Sequence, residues 1–254
     1  VERRDARRSE RSFVVEGAKL VGEALRHGAT IEAVYVDASG ATDSDRTLAE
    51  ACAAAGARIL ELQPGVLARA CDTLSAQPVA AIVAAIDVSM DDLGRSVDLA
   101  VICDEVRDPG NVGAIIRTAG AAGAGAVVCS VGSVDVYNPK TVRSSAGALF
   151  HLPVVIDVDT EVALDEAARR GLWRWATAAR GGTDYTATDL ARPTALVVGN
   201  EAHGLRSSLA ARLDGALTIP MAGPAESLNV AAAAAVLCFE ARRQRRRSAR
   251  RTNS

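Results

Sequence analysis

An α/β protein in two parts is predicted, and three observations predict it. Short, near-continuous apolar runs ("LAVICD", "GAVVCS", "LPVVID", "TALVVGN" and "ALTIPM") alternate with helical or loop material in the second part. The first part has its own alternation of strand and helix, and the stretch "SMDDLGRSVD" interrupts the apolar pattern between the two with charge and Gly. At 254 residues and 49% hydrophobic content, the chain is long enough for one large domain or two smaller ones around a packed core.

The first part reads strand, helix, strand: Phe13 to Val15 extended, Ala18 to Arg26 helical with Leu20, Val21, Ala24 and Leu25 on one side, and Ile31 to Val36 extended. "TLAEACAAAGARILEL" repeats helix then strand, "GVLARAC" is a further short helix, and "VAAIVAAIDV" a buried strand. After the linker a second domain begins near Val97. Its apolar runs favour parallel pairing in a sheet covered on both faces.

No run approaches the roughly 20 apolar residues of a membrane span, and the N-terminus lacks the long apolar segment of a signal peptide, so a cytoplasmic location is expected. The absence of an initiator Met points to a processed or trimmed start. Cys52, Cys71, Cys103, Cys129 and Cys238 are scattered through apolar or Ala-rich surroundings, which favours reduced, buried thiols over disulfides or a zinc site. No metal is expected. The formal net charge of −2 hides an uneven distribution, with Arg clustered at the start and again in "ARRQRRRSARRTNS". Such a basic end is either a solvated tail or a patch for polyanions.

Chemistry gathers in three loops where strands stop, the edge at which open α/β sheets bind ligands. In "DEVRDPGNVGAIIRTAGAAGAGAVV", Asn111 is placed to cap a helix whose buried stripe is Val112, Ile115, Ile116 and Ala119. Arg117 then falls on the far side beside Gly113, either as an ordinary surface Arg or as a functional cation. "GAAGAG" ends that helix rather than forming a nucleotide loop. In "VVGNEAHGLRSSL" a strand stops at Gly199 and Glu201 follows, as a functional carboxylate or a local ion-pair partner. His203 reads as a loop residue, and no Ser-His-Asp arrangement supports a hydrolase. In "IPMAGPAESLNVAAAAAVLCFEARRQ", Ser227 is the expected cap and Asn229 lies in the first turn of a helix with Val230, Ala233, Ala234, Leu237 and Ala241 as its apolar stripe. So many alanines also suit a subunit interface.

Together these loops resemble the signature motifs of the SpoU (TrmH-like) RNA ribose 2′-O-methyltransferases, a branch of the SPOUT superfamily. "DPGNVGAIIRTA", "VVGNEAHGL" and "IPMAGPAESLNVAAAAA" are similar to motifs one, two and three, in order, and "KTVRSSAGALFHLPV" to the connecting stretch. "FVVEGAKLVGEAL" resembles the small ribosomal-protein-like domain that many members carry in front. The resemblance implies an N-terminal α/β domain that binds RNA, over 1–90. It also implies a C-terminal SPOUT α/β domain over 97–243, with a mainly parallel sheet and a trefoil knot. A basic tail then covers 244–254. S-adenosylmethionine as cofactor, a homodimer and RNA as partner are further implications. By the same resemblance Gly199, Ile219 and Leu228, with Met221 nearby, line the methyl-donor pocket, and Asn111, Arg117, Glu201, Ser227 and Asn229 are the active-site polar residues.

The expected reaction is therefore methyl transfer to a ribose 2′-hydroxyl of structured RNA, with 23S rRNA ahead of transfer RNA. A non-catalytic RNA-binding or ribosome-assembly protein is the alternative, opposed by the intact set of Asn111, Arg117, Glu201 and Asn229. A dinucleotide-dependent oxidoreductase is opposed by the absence of GxGxxG after a first strand.

Overall fold

The structure is a computed structural model that describes residues 3–70, 77–94 and 97–252. Cys71 of the predicted short helix, and Arg95 and Ser96 of the predicted linker, lie outside these residues. The chain divides into two compact units: Val1–Ile86 with Tyr137–His151, and Asp87–Val136 with Leu152–Ser254.

In the first unit α1 (Arg4–Glu10) leads into β1 (Ser12–Glu16), α2 (Ala18–Arg26), β2 (Ile31–Asp37), α3 (Asp43–Ala54), β3 (Arg58–Leu62), α4 (Val66–Ala70) and β4 (Val79–Ala84). The sheet runs β1-β4-β2-β3 and is mixed, with β4 antiparallel to both neighbours and β2 parallel to β3. Leu20, Val21 and Ala24 recur at helical spacing and bury one face of α2. Thr42 starts α3 with a capping box, in which its hydroxyl accepts from the Asp45 amide and the Asp45 carboxylate accepts from the Thr42 amide. Phe13 stacks on Tyr137 at 4.5 Å, and the Ile86 amide donates to the Tyr137 hydroxyl at 2.8 Å, which ties the later segment into this unit.

The second unit contains β5 (Leu99–Cys103), α5 (Pro109–Ala122) and β6 (Ala126–Ser130); α6 (Pro139–Ser144) lies in the segment that groups with the first unit. It continues with β7 (Val154–Val158), α7 (Thr160–Arg169), β8 (Trp173–Thr177), β9 (Thr183–Asp184), β10 (Thr194–Val198), β11 (Gly215–Thr218) and α8 (Val230–Thr252). Its sheet has the order β7-β6-β5-β10-β8-β11-β9 with parallel ladders throughout. β5, β6 and β10 are buried along their whole length, as strands covered on both faces must be. Ala100, Ile102, Val128 and Val197 pack with Ala163, Leu164 and Ala167 of α7 on one face. α5 packs on β5, β6 and α8, and α8 also packs on β10.

Cys103 and Cys129 meet in register on β5 and β6, and with Cys52 and Cys238 are buried free thiols. A hydrogen bond with Cys129 and complete burial push the Cys103 thiol well above its usual range, and burial raises Cys238 to about 12, so both stay protonated. Residues 244–252, read from sequence as a tail, continue α8 without a break, as Arg, Ala and Gln are good helix formers. No helix among the described residues is long and apolar enough to cross a membrane.

Candidate active site

The strand order reverses direction between β5 and β10: from β5 the chain builds outward through β6 and β7, and the remaining strands lie on the β10 side. A crevice at the C-terminal ends of such a pair is where this architecture holds ligands. The turn after β5 and the loop after β10 both open there.

The turn after β5 starts α5. Its cap is Asp108, whose carboxylate accepts from the Asn111 amide at 2.9 Å, with Pro109 in the first helical position. The sequence points to Asn111 for that role, but Pro109, lacking an N–H, already begins the helix, and Asn111 sits within the first turn. Its side chain is thereby released for other partners. Asn111 Nδ2 donates to Glu201 Oε1 at 2.9 Å, and Asn111 Oδ1 accepts from Asn229 Nδ2 at 2.9 Å. Val112, Ile115, Ile116 and Ala119 are fully buried as predicted. Gly113, expected on the open side beside Arg117, is also buried, since it stands three residues before Ile116 and so shares the edge of that packed face.

After β10 the loop closes on itself. The Asn200 amide donates to the Gly204 carbonyl at 3.1 Å and the Gly204 amide returns a bond to Asn200 at 2.8 Å, with Gly204 at φ +67°. Asn200 Nδ2 donates to the Glu105 carbonyl at 2.9 Å, and Arg206 reaches the buried Asp104 carboxylate at 3.1 Å. Between these two anchors Glu201 accepts from the amides of Arg107 (3.3 Å) and Asp108 (3.2 Å) as well as from Asn111.

The third loop ends at α8, and the cap there is Asn229, not Ser227. Asn229 Oδ1 accepts from the amides of Ala231 (2.9 Å) and Ala232 (3.3 Å), while its Nδ2 reaches Asn111. The helix begins one residue beyond Asn229, which leaves Ser227 too far back to cap it. The buried stripe of α8 is correspondingly Ala231, Ala234, Leu237, Cys238 and Ala241, and Val230 and Ala233 face a pocket instead.

That pocket, about 430 Å³, is lined by Gly199, Glu201, Ile219, Met221, Ser227, Leu228 and Asn229, together with Thr177, Ala178 and Leu217. Its size suits a small-molecule ligand, and its walls mix apolar side chains with exposed loop backbone. Asn111 joins it through its bonds to Glu201 and Asn229. Arg117 is exposed on α5 and is not among the lining residues. It forms no ion pair among the described residues. Thr177 and Ala178 were missed because β8, "WRWAT", carries Arg174 near its centre and does not read as an apolar run. Among the described residues no three His, Cys, Asp or Glu side chains are grouped to hold a metal ion.

Burial works to raise the Glu201 carboxyl, but the hydrogen bonds from Asn111 and the Arg107 and Asp108 amides outweigh it and hold it below the usual carboxylate range. Glu201 therefore adds stability above the unfolded carboxylate range, and that contribution is lost as pH falls through the lowered folded value. Glu201→Gln is expected to lower stability by about 1 kcal/mol at pH 7, since Glu201 is exposed and its bonds are partly screened. Urea unfolding should show the gap to wild type closing in acid.

The profile of the SpoU rRNA Methylase family matches residues 98–239, and that of the MRM3-like substrate binding domain matches residues 1–81. The chain belongs to the SpoU rRNA methylase family. Among SpoU relatives, the 23S rRNA (guanosine(2553)-2′-O)-methyltransferase RlmP of Bacillus subtilis is 34% identical over 91% of this chain and 88% of its own length. The 23S rRNA (uridine(2479)-2′-O)-methyltransferase of Streptomyces viridochromogenes is 34% identical over 92% and 83%. The crystal structure of the SpoU methyltransferase AviRb from Streptomyces viridochromogenes in complex with the cofactor AdoMet superposes with a TM-score of 0.87 at 33% identity, covering 96% of this chain and 94% of that one.

Proposed function

We propose that this SpoU protein transfers a methyl group from S-adenosylmethionine to a ribose 2′-hydroxyl of 23S rRNA. The observation that carries the reading is the chain of hydrogen bonds Asn229–Asn111–Glu201, which joins all three motif loops beside the pocket at the sheet's switch point. The residues fit the donor: Gly199 holds the loop backbone close, Ile219, Met221 and Leu228 offer apolar walls, and loop amides and carbonyls offer polar contacts. S-adenosylmethionine, when bound, supplies an electrophilic sulfonium methyl.

The protein's own contribution is placement and charge. Both Glu201 oxygens are engaged, so Glu201, Asn111 and Asn229 act as positioning residues that fix the loops, with Ser227 offering a hydroxyl at the rim. Arg117 is the catalytic residue. A guanidinium does not give up its proton in proteins, so Arg117 orients the 2′-hydroxyl and stabilises the developing alkoxide while the proton leaves toward a neighbouring RNA phosphate. Alignment of the hydroxyl oxygen for in-line attack supplies much of the remaining rate, since proximity contributes about 7 to 11 kcal/mol in well-oriented reactions.

The proposed enzyme is a homodimer, supported by the placement of Arg117 outside its own chain's pocket, which a second copy would complete. It carries a C-terminal trefoil knot and acts in the cytoplasm. Residues 1–90 serve as the RNA-binding domain, and catalysis lies in 97–243. Isothermal titration is expected to give one S-adenosylmethionine per chain, and labelled methyl should enter 23S rRNA in preference to transfer RNA. Label confined to transfer RNA would overturn the substrate, and an active monomer in sedimentation would overturn the dimer.

A further inference from the structure

Beyond the pocket, α8 displays arginine on one side and is held down on the other. Gln244 Nε2 donates to the Thr188 carbonyl at 3.0 Å and Gln244 Oε1 accepts from the Leu190 amide at 2.8 Å. Arg245 donates to the carbonyls of Asp98 and Arg192, both at 2.9 Å. These bonds anchor the helix through Arg245, and its basic end continues from there as helix to Thr252.

On the outward side Phe239, Arg242, Arg243, Arg246, Arg247 and Arg250 recur every three or four residues and line a shallow groove of about 500 Å³. Glu240 is the sole acidic residue of the helix, and it is paired with Arg243. Arg246 and Arg247 form no ion pair among the described residues. A row of like charges at this spacing disfavours an isolated helix, and it stands in a chain whose net charge is −2. The apolar face that a basic helix would insert into a lipid surface is here occupied in packing, with Ala234, Leu237, Cys238 and Ala241 all buried.

We propose that this arginine face of α8 is a second RNA-docking surface, distinct from the methyl-transfer pocket, which tracks the phosphate backbone of the substrate. It rests on the reading of the substrate as RNA. Arg246, Arg247 and Arg250 lie within about 6 Å of helix axis and, with Arg242, which also donates to the Ala121 carbonyl of α5, supply charge for several phosphates of a strand. The exposed Phe239 ring at the head of the row offers a face on which an unpaired base stacks.

The test is the salt dependence of binding to a 23S rRNA transcript, for wild type and for the triple variant Arg246→Gln, Arg247→Gln, Arg250→Gln. Gln preserves helix propensity, which circular dichroism checks. Each lost phosphate contact should flatten the slope of log affinity against log salt by about 0.7 to 0.9, so the variant's slope is expected to be shallower by about 2 to 3, with S-adenosylmethionine affinity unchanged. An unchanged slope in a wild type that does bind the transcript would overturn this inference alone. Variant-sensitive binding to phosphatidylserine vesicles with an unchanged RNA slope would assign the face to lipid and overturn it as well. A wild type that binds no 23S rRNA at any salt would defeat the proposed substrate and this surface together.

Discussion

Arg117→Ala is expected to lower methyl transfer by about 10²- to 10³-fold while leaving S-adenosylmethionine binding intact, the scale seen when a donor to a developing oxyanion is removed. Arg117 has little other work in the fold. It is exposed on α5, forms no ion pair among the described residues, and stands in a helix otherwise built largely from small and apolar side chains. Replacing it with Ala, the better helix former, should change stability by no more than about 0.5 kcal/mol. A large loss of turnover would then report chemistry rather than folding. Arg117→Lys keeps the charge but not the planar fork, so partial activity is expected. Mixing Arg117→Ala with a pocket variant should restore some activity, because one of the two sites in a mixed dimer would carry both an intact pocket and an intact Arg. Near-normal turnover by Arg117→Ala would remove it from the mechanism.

Gly199→Ala is expected to cost about 1 to 3 kcal/mol of stability and to weaken S-adenosylmethionine binding about tenfold or more. A Cβ at Gly199 would meet the Gly204 carbonyl carbon at 2.4 Å, the Leu205 amide at 2.5 Å and the Gly204 oxygen at 2.6 Å. These are backbone atoms held by the paired Asn200 and Gly204 bonds, so no side chain can swing aside. The loop itself must move, and with it Glu201 and the pocket wall. Gly94→Ala is the matched control: a Cβ there meets nothing within 4 Å, and neither stability nor binding should change. Thermal unfolding and calorimetry on both variants separate close packing from a general intolerance of Ala.

Much of this site is legible in the sequence, because its residue types are poor choices for anything but a site. The apolar runs mark β5, β6 and β10, since strands buried on both faces do not tolerate polar interruptions, and also β7 and β11, which are only partly buried. They do not reveal β8, where Trp173, Arg174 and Trp175 sit partly exposed and Arg174 pairs with Asp214. Thr177 and Ala178, at its end, were lost with it.

The two helix caps illustrate a finer limit. "DPGN" and "ESLN" each contain two residues able to cap, and composition alone does not choose between them. Pro109 could have decided the first, because proline favours the position just after a cap. For the second nothing local decides, and the Asn229 side chain is fixed by a partner 118 residues away. Tertiary reach also explains the grouping of Tyr137–His151 with the first unit, through rings such as Phe13 that no linear pattern connects to it.

The most direct test of the central claim is nucleoside mass spectrometry of 23S rRNA, taken from a strain lacking this protein and incubated with the purified protein and methyl-labelled S-adenosylmethionine. One new ribose 2′-O-methyl nucleoside, absent when Arg117→Ala replaces the wild type, is the predicted result. Label on a base, or no incorporation into 23S rRNA or its assembly intermediates despite clear donor binding, would contradict it.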